Sequence, residues 1–112
     1  MTKRFYLLAL VLGCMASPAF ARSSDAAFTA QVDAAMTTMM NAMNVRSSGD
    51  VDEDFVAKMV PHHQGAIEMA EAELRYGHNE QLRRLAQEII VTQQQEIAVM
   101  KLALHEPQEP LP

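Results

Sequence analysis

A chain of 112 residues with fourteen acidic and nine basic side chains, 49% hydrophobic, with one cysteine and no tryptophan, has room for one domain and one modest core. The acidic balance disfavours nucleic acid and anionic membrane surfaces as partners. A single cysteine rules out an internal disulfide framework.

The N-terminus has the layout of an export signal over residues 1–21. Lys3 and Arg4 precede the apolar run Phe5 to Leu12, and Ala19-Phe20-Ala21 forms a small-x-small cleavage site. The run is well short of the roughly 20 residues that a bilayer span requires, so no permanent anchor is expected. Leu12-Gly13-Cys14 leaves lipid attachment at Cys14 as an alternative. Cleavage after Ala21 removes that cysteine, so disulfides and thiolate sites are absent from the mature chain. With Lys3 and Arg4 gone, seven basic residues face fourteen acidic ones, a net charge of −7 that is compatible with attracting cations. A periplasmic or secreted protein is expected, with no membrane attachment once the signal is removed.

Residues 22–106 read as one all-α domain. Neither strand alternation nor a solenoid period is present. The first helix is expected from Asp25 to Asn44 with Ser24 as its cap, and Phe28, Val32, Ala35, Met36, Met39 and Met43 share one sector. Ser47-Ser48-Gly49 ends it. Asp50 with Glu53 has the form of a capping box opening a second helix, which reaches Tyr76 and closes on Gly77 in a left-handed cap. Pro61 lies inside it and predicts a kink beside His62 and His63. The third helix is expected from a cap at Asn79 to Glu106, stopped by Pro107, with a frayed Pro-rich tail over 107–112.

Methionine is the anomaly in this composition. After the signal there are seven Met against six Leu, whereas a core that needs apolar volume with defined rotamers favours Leu. Met36, Met39, Met40 and Met43 recur at helical spacing, and Met59, His62, His63 and Met69 crowd three turns of the second helix. Thioethers are neutral, soft and never protonated at ordinary pH, so they suit Cu(I) or Ag(I) and are poor ligands for Zn²⁺, Mg²⁺ or Ca²⁺. On the second helix Phe55, Met59, His63, Ala66 and Ala70 fall on the inward sector, with His62 and Met69 on its flank. His78 and His105 lack such surroundings and are expected at the surface. On the third helix Gln93, Glu96 and Met100 interrupt an apolar stripe of Leu82, Leu85, Ile89, Ile90, Ile97 and Leu104, which predicts a buried carboxylate. Such a carboxylate needs a partner. Gln93 and Glu96 either bond the other helices structurally or hold His62 or His63 in one tautomer.

The pattern Phe55-x-x-x-Met59-x-Pro61-His62-His63-x-x-Ala66-Ile67-x-Met69-Ala70, followed by Gln93-x-x-Glu96-Ile97-x-x-Met100, resembles the CopM-like family of secreted helical proteins. The resemblance covers about Asp50 to Leu104. It implies a ferritin-like helical bundle that binds copper or silver ions outside the cytoplasm and contributes to copper tolerance, with ligands at Met59, His62, His63, Met69 and, less directly, Met100. Two features depart from the family pattern. Ala103 stands where an aromatic residue is usual, and the short chain offers three long helices, so a complete bundle calls for a second subunit.

The expected function is sequestration or carriage of Cu(I), with Ag(I) as a surrogate, by Met36, Met39, Met43, Met59, His62, His63, Met69 and Met100. A homo-oligomer and a copper-trafficking partner protein are the expected associations. No Glu has His three residues later, and His-Glu-x-x-His is absent, so a di-iron or zinc hydrolase reading lacks its ligands and no enzyme is expected. A copper-dependent oxidase and a metal-free interaction module, using Val91, Val99 and Leu102 on the outer face of the third helix, remain as alternatives.

Overall fold

The computed structural model describes residues 18–105, with side chains from Ser23 onward. It is an all-α bundle of three helices, α1 (Pro18–Met43), α2 (Val51–Tyr76) and α3 (Glu80–Ala103). Both α1 and α3 pack along α2 but not against each other. Short connections force this antiparallel order: seven residues separate α1 from α2, and three separate α2 from α3. The expected tail and nearly all of the expected export signal lie outside the described residues. Among those residues no helix is long and apolar enough to cross a membrane.

Helix ends follow local chemistry. Asp50 caps α2 by accepting from the Asp52 and Glu53 amides at 2.8 and 3.0 Å, and Asn79 caps α3 by accepting from Gln81 and Leu82. Only half of the expected capping box forms, because the Asp50 amide donates to the Ser48 hydroxyl rather than to Glu53. In the α1–α2 connection Gly49 takes φ +92°, where a side chain would be strained. Asp54 closes this connection, accepting from the Ser48 amide at 2.8 Å and from the Ser47 hydroxyl at 2.7 Å. Those bonds, the Ser48 amide foremost, hold its carboxyl below the ordinary 3.8.

Several expectations are corrected. Helix α1 begins at Pro18, so Ser24 lies inside it rather than capping it; the alanine-rich sequence before Asp25 carries no residue that stops a helix. Gly77 is extended, at φ −75° and ψ 155°, not left-handed. The end of α2 is instead satisfied by Arg83 of α3, whose guanidinium donates to the Leu74 and Gly77 carbonyls. Helix α3 ends at Ala103, giving way to a turn at Leu104–His105 before Pro107 is reached. At Pro61 the expectation of a helix that continues past the proline without a clean break holds, since α2 contains it.

Alanine dominates the core. Ala35, Ala70, Ala72 and Ala86 are buried with Met39 and Ile67, and among the described residues no large side chain is fully enclosed. Because among the described residues α3 packs on α2 alone, residues expected on its inner stripe stay wet: Leu82 and Leu85 are about half exposed, as is Phe55 across the interface. Gln31 ties α1 to α2, donating to the Glu68 carbonyl and accepting from Arg75.

Candidate metal centre

Two helical stripes meet at the open end of the α2–α3 interface. Phe55, Met59 and His63 repeat every four residues on α2, while Thr92, Glu96 and Met100 do so on α3. That spacing stacks each set on one face. Together with Gln95 and Val99 these residues line a groove of about 540 Å³. The groove thus gathers two thioethers and one imidazole from segments far apart in sequence.

His63 is the only buried polar side chain of the described core. Its Nδ1 lies 2.8 Å from the Met59 carbonyl and its Nε2 lies 2.6 Å from Glu96 Oε2. A carbonyl only accepts, so Nδ1 carries a hydrogen. At 2.6 Å, Nε2 and the carboxylate are within short hydrogen-bond distance of each other. Glu96 therefore occupies the nitrogen a metal would use. It is not buried as expected: its side chain is 50% exposed, because α1 does not reach α3. That exposure leaves it room to turn away and free Nε2.

The remaining expected ligands are divided among other surfaces. His62 is exposed, its ring meeting that of His63 edge-on at 61° with centroids 6.0 Å apart. Met69 lines a second, apolar α2–α3 groove with Leu82, Leu85, Ala86 and Ile89. On α1, Met39 is buried and packs over Gly65 of α2, Met43 is half-buried, and Met36 and Met40 are exposed. Gln93 is half-buried, and the groove uses Thr92 and Gln95 in its place. His78 and His105 are exposed, as expected.

Sequence reasoning missed Gly65, although a glycine inside a helix is itself a signal of close approach. It also missed that Nδ1 of His63 would be held by its own helix backbone. Among the described residues no three His, Cys, Asp or Glu side chains converge; beside the Glu96 carboxylate, the groove's donors are the soft Met59 and Met100 thioethers and the imidazole of His63. This donor set fits Cu(I) or Ag(I).

Fold and groove together define a small all-α protein with a thioether- and imidazole-lined cleft. It belongs to the family described as a domain of unknown function (DUF305), whose model matches residues 14–104. No curated protein matches the chain.

Proposed function

We propose that the protein is an exported, non-enzymatic metal-binding protein that sequesters or carries Cu(I), with Ag(I) as a surrogate, and so contributes to copper tolerance in the periplasm or outside the cell. The observation that carries this reading is the α2–α3 groove, where Met59, His63 and Met100 line one cleft with Glu96 on the ligating nitrogen. Thioethers select a soft monovalent ion, and the imidazole adds a stronger donor once Glu96 turns aside. The resemblance of the Met59-x-Pro61-His62-His63 motif to the CopM-like family, and through it to a ferritin-like bundle, points the same way.

Titration of the full chain, carrying Cys14→Ser so that no thiol competes, with Cu(I) against a competing chelator tests the proposal. Withdrawal of Cu(I) from the chelator is expected, and Met59→Leu/Met100→Leu should weaken it at least tenfold. Unchanged competition by that variant would remove the groove from the function.

A second reading, a helical interaction module, is favoured by one observation: Val91 and Leu102 are each more than half exposed on α3, as is Val99, which borders the α2–α3 groove and not the outer face alone. The same face supports self-association alongside metal binding.

A further inference from the structure

The two grooves of the α2–α3 interface run into each other. Along α2, Phe55, Met59 and His63 line the first and Ala66, Ala70 and Glu73 the second, and steps of three and four residues keep all six on one face. Along α3, Leu82, Leu85 and Ile89 of the second groove lead in the same way to Thr92, Glu96 and Val99 of the first. One trough therefore follows the helix pair. Among the described residues α1 makes no contact with α3 that would cover it. Phe55, Leu82, Leu85 and Val99, each about half exposed or more, lie along it.

The two ends of the trough differ in shape. Towards the α2–α3 connection it is a hole of about 340 Å³ floored by the buried Ala70 and Ala86, a volume in the range that holds small organic ligands and so ample for an aromatic ring. At the other end Phe55 stands out, 54% exposed. Fifteen residues separate Phe55 from Ala70, about 22 Å of helix, so a chain cannot fill its own hole with its own ring. A two-fold axis normal to the trough brings knob to hole at both ends at once, because each copy carries one of each. A net charge of −5 disfavours an anionic membrane surface as the occupant.

We propose that a second copy of this chain lies antiparallel along the trough, with Phe55 of each copy seated over Ala70 and Ala86 of the other, beside Leu82 and Leu85. Two helix hairpins then pack as four helices. The axis falls midway between Phe55 and Ala70, so the partner also shields the contact between His63 and Glu96 from water. The interface stands on the apolar trough and does not depend on a bound metal.

The test uses metal-free full chain with Cys14→Ser, half of it isotope-labelled, so that NMR selects contacts between copies. Intermolecular NOEs are expected from the Phe55 ring to the Leu82 and Leu85 methyls, groups too distant to meet within one chain. Phe55→Lys and Leu85→Glu, both at exposed positions, should each weaken association at least tenfold in sedimentation while circular dichroism shows the helices retained. Mixed in equal amounts, the two variants should associate again, since their opposite charges meet across one contact and the other contact stays native. A monomer at NMR concentration, or a dimer without those NOEs, would overturn the proposal, as would a mixture no better associated than its components. With metal excluded, each of these outcomes leaves the Cu(I) reading to its own titration.

Discussion

Gly65→Ala is a direct probe of how closely α1 approaches α2. In a helix interior alanine is favoured over glycine by about 1 kcal/mol, so with open space around it the substitution stabilises. The space is not open, because the new methyl would meet Met39 at 2.6 Å from sulfur and 3.0 Å from two carbons. Overpacking of this kind costs about 1 to 3 kcal/mol. Packing therefore cancels or outweighs propensity, and the net effect runs from about zero to a loss of about 2 kcal/mol. In a Met39→Ala background the sulfur and Cγ are gone and only the Cβ stays close, at 3.0 Å, so the same substitution should be more favourable there than in the wild type. Thermal unfolding of the four proteins of this cycle, followed by circular dichroism, reads the coupling, since for a domain of this size 1 kcal/mol moves Tm by about 4 to 8 °C. If Gly65→Ala stabilised both backgrounds equally, the close approach of Met39 would be refuted.

Three other outcomes follow from the structure. Hydrogen bonds from Ser48 and Ser47 favour the ionised form of Asp54 in the fold, so its contribution is present above the unfolded-state pKa and is lost as pH falls through the lower folded value; Asp54→Asn should destabilise at neutral pH, with the difference from wild type vanishing in strong acid, and a pH-independent difference would contradict this. A proton competes with metal for an imidazole but not for a thioether, so Cu(I) affinity should fall on acidification to a plateau; His62→Ala/His63→Ala should start near that plateau, and Met36→Leu/Met39→Leu/Met43→Leu should lower it. Val91, Val99 and Leu102 lie more than half exposed, so sedimentation at micromolar concentration should show a dimer or larger; a strict monomer there would mean that this face has no partner copy.

Helical periodicity made the three elements legible, and the caps at Asp50 and Asn79 were readable because short polar side chains beside an apolar run have few other uses. Ala35, Met39, His63 and Ala70 were assigned to the interior correctly. Burial on α3 was misjudged for a reason that periodicity cannot reveal: a stripe says which residues share a face, not how many neighbours cover it. With α1 absent from that side, Leu82, Leu85 and Glu96 stay in contact with water. The pairing of His63 with Glu96 follows from two interior polar groups needing partners. That Glu96 would take the ligating nitrogen, with Met59 lending its carbonyl to the other, depends on register between helices and on a ring rotamer, neither of which is written in residue spacing. The candidate ligands likewise share a composition but not one surface. Met59, His63 and Met100 meet, whereas Met69 lies in a separate groove of the same interface and Met39 packs on the α1 side of α2.

X-ray absorption at the copper edge of the Cys14→Ser chain loaded with Cu(I) examines the groove's chemistry most directly, since it reports which atoms surround the metal. Sulfur together with imidazole nitrogen is the expected coordination, with the sulfur signal reduced in Met59→Leu/Met100→Leu. Copper surrounded by nitrogen and oxygen alone would contradict a thioether site and the function drawn from it.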